Sequence, residues 1–168
     1  IALTATCSPR TEHVILSSLN LHKATIIRQT CDRPNVSLNV QPKKGDGKEQ
    51  ITKMILEECH NQCGIIYCLE SAATLYMAFS LQSKGINATY YHAALDPFKK
   101  QENVQAWLDG KALAICATIA FGMGINKPNV RFIIHSSIPQ SMAVLEEMAK
   151  SQPGVSCFGL KIELSNSR

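Results

Sequence analysis

The chain has 168 residues, 45% of them hydrophobic and 18% charged, with a formal net charge of +4 at pH 7. That length gives one domain a sizeable core and falls short of two ordinary ones, while the composition excludes a disordered chain. No stretch approaches the apolar length a bilayer requires and no leader pattern opens the sequence, so no membrane partner is expected. The mild positive charge permits nucleic-acid binding without demanding it. Seven cysteines, an odd number without a repeating spacing, argue for reduced thiols rather than a disulfide framework. Cys59, His60 and Cys63 lie close together, but no second cluster completes four ligands, so no metal site is assigned. Opening on Ile1 rather than Met, the sequence is expected to be part of a longer gene product.

Taken in order, residues 1–6 read as a strand end running into a hydroxyl-rich turn. Ser8 is a candidate N-cap and Pro9 a first-turn residue for a helix reaching about Leu19, with Val14, Ile15, Ser18 and Leu19 on one face. A short strand is expected over 24–28, then a turn at Asp32-Arg33-Pro34-Asn35, and a new unit opens with a strand over 36–40. The lysine-rich, glycine-rich stretch 43–48 reads as a solvated loop. A helix over 49–60 would place Ile51, Met54, Ile55 and Glu58 in its inward stripe. Residues 64–69 form a buried strand, and 71–84 a helix closed by Gly85, where a left-handed residue is wanted. Residues 88–91 are the next strand. Asp96 can cap a helix from Pro97 to about Leu108, with Val104 and Leu108 facing inward and Trp107 at the margin.

The apolar run 113–117 has the length and β-branched character of a strand buried on both faces. It breaks at Gly122 and Gly124, which lack a Cβ and allow the backbone a sharp turn and a close approach to a ligand. Asn126, Lys127 and Pro128 close the loop, and a strand over 130–135 follows. Near the end, Phe158, Leu160, Ile162 and Leu164 alternate with Gly159, Lys161 and Glu163, the period of a half-buried strand. Short apolar strands alternating with helices indicate an α/β fold, a parallel sheet with helices on both faces and right-handed crossovers. Ligand chemistry in such a sheet belongs at the carboxyl ends of the strands.

The stretch Ala-Thr-Ile-Ala-Phe-Gly-Met-Gly-Ile-Asn-Lys-Pro-Asn-Val-Arg-Phe, which begins at Ala117, resembles motif V of the RecQ family of DNA helicases. Supporting matches run along the chain. Ala2-Leu3-Thr4-Ala5-Thr6 resembles motif III, Asp32-Arg33-Pro34-Asn35 the crossover between two motor domains, and Gly64-Ile65-Ile66-Tyr67-Cys68 motif IV. Tyr91-His92-Ala93-Ala94-Leu95 is similar to the family's Tyr-His-Ala-Gly-Leu. The resemblance implies a RecA-like arrangement, with 1–33 the tail of a first motor domain and the crossover, and 34–168 a second motor domain. It also implies roles. Thr4 and Thr6 would couple nucleotide state to DNA, His92, Thr118 and Lys127 would follow the phosphates of a DNA strand, and Gly124 and Asn126 would face the nucleotide. Arg131 could meet an acidic group or a phosphate. ATP and Mg would be cofactors of the complete motor, none binding tightly to this chain alone, and the partners would be DNA and a first RecA-like domain. The implied location is the nucleus, or the cytoplasm of a prokaryote.

The sequence departs from the family in two places. Glu70-Ser71 stands where Ser-Arg is common, and 142–155 lacks motif VI, Tyr-Tyr-Gln-Glu-Ser-Gly-Arg-Ala-Gly-Arg-Asp-Gly, reading Leu145-Glu146-Glu147-Met148-Ala149-Lys150 instead. No arginine occurs between Arg131 and Arg168. An arginine finger contributes about 10³–10⁵ in rate to phosphoryl transfer, and an ammonium cannot reproduce its forked donor set. Nor does the chain contain a Gly-x-x-x-x-Gly-Lys-Ser/Thr loop or an Asp-Glu-x-His segment. Three readings stand: the second motor domain of an ATP-dependent 3′-to-5′ DNA helicase, a non-catalytic nucleic-acid-binding remnant, and a generic nucleotide-binding α/β domain. No catalytic residue is assigned.

Overall fold

The computed structural model describes residues 1–3, 7–21, 23–28, 37–121, 127–137 and 156–161. The elements in chain order are α1 (Pro9–Ser18), β1 (Ser37–Pro42), α2 (Lys48–Glu58), β2 (Cys63–Tyr67), α3 (Ser71–Ser83), β3 (Ala88–Tyr91), α4 (Pro97–Leu108), β4 (Ala114–Ala117), β5 (Val130–His135) and β6 (Ser156–Lys161). The six strands form one sheet in the order β1-β6-β5-β2-β4-β3, and every pairing is parallel. All residues of β2 and β4 are buried, as expected of central parallel strands covered on both faces.

Connection direction decides which helix covers which face. From β1 to β2 and from β2 to β3 the chain advances across the sheet, and from β3 to β4 it turns back. Right-handed crossovers put advancing and returning helices on opposite faces. Accordingly α2 and α3 pack on one side, where Ile51, Met54, Ile55, Met77, Ala78 and Leu81 meet Ile66, Cys116, Phe132 and Ile134. On the other side Trp107 of α4 packs with Ile65, Tyr67, Ile115, Phe121 and Ile133.

Local chemistry sets the helix ends. Ser8 Oγ accepts from the Thr11 amide at 3.1 Å ahead of Pro9, and Asp96 Oδ1 accepts from Phe98 N at 2.9 Å and Lys99 N at 3.3 Å ahead of Pro97. After α3, Gly85 takes φ +80°, and the Ile86 amide reaches back to the Leu81 carbonyl at 3.0 Å. In β2, a Cβ at Gly64 would fall inside the Phe132 ring opposite, so this strand position admits only glycine without repacking. At the β3 edge of the sheet, Gln82 Nε2 donates to the Ala88 carbonyl at 2.7 Å and Asn103 Nδ2 to the Tyr90 carbonyl at 2.9 Å.

Three sequence expectations are corrected. Residues 24–28 form no strand, because a strand exists only through pairing and no described strand lies beside them; Arg28 instead makes an ion pair with Glu12. In α4 the inward residue is Trp107, fully buried, while Leu108 is 41% exposed. Burying the indole removes the largest apolar surface on that helix from water, and its N–H finds a partner in the Gly64 carbonyl at 3.2 Å. In α2 the stripe ends on buried Cys59 rather than on Glu58, whose carboxylate stays in water. Helix α1 buries no residue, and Ile1, Leu3, Val14, Leu19, Ile26 and Ile27 are all exposed.

Candidate functional site

The carboxyl ends of β2, β3 and β4 converge through backbone hydrogen bonds that continue past the strands. Cys68 N donates to the Ala117 carbonyl at 2.8 Å, and Thr118 N donates to the Tyr91 carbonyl at 3.4 Å. His92 directly follows Tyr91, so the sheet brings His92 and Thr118 to neighbouring positions on one edge. Each is half-buried. The turn after His92 is closed by Leu95 N on the His92 carbonyl at 3.2 Å and by Lys100 Nζ on the Ala93 carbonyl at 2.6 Å. The His92 ring lies nearly parallel to Tyr90, with centroids 6.3 Å apart, and its Nδ1 is buried without a partner. The imidazole is thus positioned by stacking rather than by a hydrogen bond at Nδ1.

Thr118 opens a turn, since its carbonyl accepts from Phe121 N at 2.9 Å. Phe121 is 2% exposed and is held from three directions. Tyr67 Oη donates to its carbonyl at 3.1 Å, and its ring packs against Tyr91 at 4.9 Å and edge-on to Trp107 at 5.7 Å. His135 stacks on Tyr67 at 5.2 Å, is 2% exposed, and leaves Nε2 without a partner. Burial alone lowers the His135 pKa to about 4, so the ring is neutral at pH 7.

Lys127 is not on this edge. It lies three residues before β5, at the amino end of the sheet, and is 5% exposed. Its ammonium donates to the carbonyls of Trp107 at 2.7 Å and Leu108 at 2.9 Å and sits 5.0 Å from the centre of the Trp107 ring. A cation there meets the negative end of the α4 dipole as well as an aromatic face. Two of its three donors are therefore committed inside the protein, and it lies at the other end of the sheet from His92 and Thr118. Arg131, exposed, donates Nη1 to the carbonyls of Pro128 and Val130, each at 3.1 Å, and has no acidic partner among the described residues. Lys127 and Arg131 share the wall of a cavity of about 250 Å³ with Asn61, Gln62 and Asn129.

Thr4, Thr6, Gly124 and Asn126 lie outside the described residues. Burial raises the thiol pKa values of Cys59, to about 11, and of Cys63. Among the described residues no group of three or more His, Cys, Asp or Glu is placed to hold a metal ion. Sequence reasoning missed Tyr67 and Phe121 as parts of the site: each reads as a core residue, and the bond between them spans 54 positions.

Known proteins share both this sequence pattern and this fold. The profile of the helicase conserved C-terminal domain matches residues 47–150. The ATP-dependent DNA helicase Q-like 4B of Arabidopsis thaliana is 40% identical over 142 residues, covering 84% of this chain and 12% of that protein. The RecQ-like DNA helicase BLM of Xenopus laevis is 40% identical over 144 residues, covering 84% and 11%. The ATP-dependent DNA helicase RecQ of Pasteurella multocida is 37% identical over 142 residues, covering 84% and 22%. The chain thus spans between about a tenth and a quarter of the length of these relatives. Among solved structures, Saccharomyces cerevisiae Dbp5 bound to RNA and ADP BeF3 superposes with a TM-score of 0.78 over 95% of this chain and 44% of that one. At 13% identity this likeness speaks for the RecA-like motor fold alone. No described helix is long and apolar enough to cross a membrane. With the profile covering well over half of its residues, the chain belongs to the helicase conserved C-terminal domain family and is RecQ-like within it.

Proposed function

We propose that the chain is the second RecA-like motor domain of a RecQ-like 3′-to-5′ DNA helicase, of the Bloom-syndrome-helicase-like kind, preceded over residues 1–33 by the tail of the first motor domain. The observation that carries this reading is the placing of His92 and Thr118 side by side at the carboxyl edge of β3 and β4. A hydroxyl and an imidazole side by side suit phosphate oxygens, which position a nucleic acid without reading its sequence. The uncovered apolar residues of α1 and its flanks support a missing neighbour, the first RecA-like domain, against which they would be buried. Thr4 and Thr6 remain proposed coupling residues, and Gly124 and Asn126 proposed nucleotide-facing ones. Lys127, buried and with two of its three donors on the Trp107 and Leu108 carbonyls, is proposed to act from within the protein rather than as a direct phosphate contact.

Repeated closing of two such domains over ATP would move a strand stepwise. The residues present here do not by themselves fit ATP and Mg. The sequence has neither a Gly-x-x-x-x-Gly-Lys-Ser/Thr phosphate-binding loop nor an Asp-Glu-x-His segment for the ion. ATP and Mg therefore belong to a complete two-domain motor, and this chain's own contribution is to grip and orient the strand. The absence of motif VI arginines favours a second reading, a nucleic-acid-binding remnant without motor activity.

Binding of a single-stranded oligonucleotide by the chain, followed by fluorescence anisotropy across a salt series, tests the interface. The slope of log affinity against log salt reports phosphates neutralised by cations, about 0.7 for each on a single strand, whereas an uncharged contact shows in affinity. His92→Ala and Thr118→Ala are each expected to weaken binding severalfold; unchanged affinity in both would overturn the assigned face. No DNA-stimulated ATP hydrolysis is expected from the chain alone. Hydrolysis abolished by Asn126→Ala would show that the nucleotide site is complete without a first domain.

A further inference from the structure

Lys127 and Tyr67 are polar groups buried at opposite ends of the α4 face, and the proposed contact with DNA uses neither directly. Both reach the same place. Tyr67 Oη holds the Phe121 carbonyl at 3.1 Å, and the edge of Trp107 holds the Phe121 ring at 5.7 Å. Trp107 is itself fixed from two further sides: its N–H donates to the Gly64 carbonyl at 3.2 Å, and the Lys127 ammonium binds its carbonyl at 2.7 Å while lying 5.0 Å from its ring centre. Phe121 in turn closes the turn that begins at Thr118. A hydrogen bond fixes direction where apolar contact does not, and these three bonds leave the anchor little freedom to rotate.

We infer that Tyr67, Trp107 and Lys127 form a buried latch on Phe121 that positions the Thr118 turn beside His92, making them positioning residues for strand binding rather than contacts to the strand. The inference rests on the proposed role of Thr118. It assigns Lys127 a task different from phosphate contact, and the two tasks have different signatures. A cation that neutralises a phosphate contributes to the salt slope. A latch changes affinity by changing how often the turn is correctly placed, and leaves the slope alone.

The test uses the full chain in two measurements. Native-state hydrogen exchange reads the Phe121 amide, and oligonucleotide anisotropy reads affinity and salt slope. Tyr67→Phe keeps the ring and removes only the hydroxyl. It should speed exchange at Phe121 about fivefold while leaving the amides of α3 unchanged. It should also weaken oligonucleotide binding severalfold without altering the salt slope. Lys127→Met should do the same, and Lys127→Arg, which keeps cation and donors, should restore binding at least in part. If Phe121 exchange in Tyr67→Phe equals that of the parent chain, the latch is overturned whatever the DNA result. If Lys127→Met flattens the slope by about 0.7, Lys127 is a phosphate contact and the inference fails for it. Should Lys127→Met fail to fold, Tyr67→Phe decides alone. Faster Phe121 exchange in Tyr67→Phe, together with a parent chain that binds no oligonucleotide, would keep the latch and sink the proposed function, so the two failures are distinguishable.

Discussion

On the α2 and α3 side of the sheet the core cluster is made of aliphatic groups, thioethers and thiols, with Phe132 its fully buried ring among the described residues, and the buried hydroxyls of Thr52 and Thr74 bond back to carbonyls of their own helices. On the α4 side lie Tyr67, Trp107 and Phe121, joined to the backbone by Tyr67 Oη on Phe121, Trp107 Nε1 on Gly64 and Lys127 Nζ on Trp107. The hydrophobic effect is non-directional, so the first face can supply stability with little say over where any one atom sits. Directional bonds on the second face specify position. That second face is the one lying beneath the turn that carries Thr118, and the contrast explains why one chain needs both kinds of core.

Substitutions should separate the two faces. Trp107→Ala removes the largest buried side chain and leaves both the Gly64 carbonyl and the Lys127 ammonium poorly served, so a loss of about 4 kcal/mol is expected in urea unfolding. A loss under about 1 kcal/mol would mean that the α4 face is not the better-specified one.

The next effect is one of pH. His135 has a folded-state pKa depressed by burial to about 4, below its ordinary 6.5. The unfolded chain therefore takes the proton first. Stability is complete above about pH 6.5 and is lost as pH falls toward 4, by about 3 kcal/mol at roughly 1.4 kcal/mol per pH unit. The difference in stability between parent and His135→Phe, measured from pH 7 to 4.5, should carry that slope; a flat difference would show that the ring is protonated or solvated in the fold.

The aliphatic face should respond to bulk rather than to broken hydrogen bonds. Gly64→Ala would drive a methyl into Phe132 and is expected to cost about 2 kcal/mol, with Phe132→Leu in the same chain recovering part of it. The smallest change, Ile66→Val, should cost about 1 kcal/mol and leave oligonucleotide binding untouched. If it altered binding as Tyr67→Phe is expected to, the two faces would not differ in kind.

Much of the fold was legible because its signals are local. The Asp96-Pro97 start of α4 and the Gly85 end of α3 are punctuated by caps, and β3 and β5 fall where their apolar runs lie. What failed depended on distant partners. Residues 24–28 have strand composition but no neighbour to pair with among the described residues. Trp107 and Leu108 are adjacent, so helical period alone cannot say which faces the sheet; the Gly64 carbonyl, 43 positions away, decides it. Lys127 sits in a polar loop and so resembles a ligand, yet it lies at the amino end of β5 with its ammonium on the Trp107 and Leu108 carbonyls, whereas His92 follows the carboxyl end of β3. The neighbouring placement of His92 and Thr118 follows from strand order, which skips β4 between β2 and β3 before the chain returns to fill it.

The two amide side chains at β3 bear on how copies of this protein meet. An extended segment from another molecule, arriving alongside β3, would find the Ala88 and Tyr90 carbonyls already taken by Gln82 and Asn103. An edge treated in this way is a poor template for cross-chain zippering, so the sheet is closed to growth at this border without a proline or a bulge, by helices that it needs anyway for its two cores.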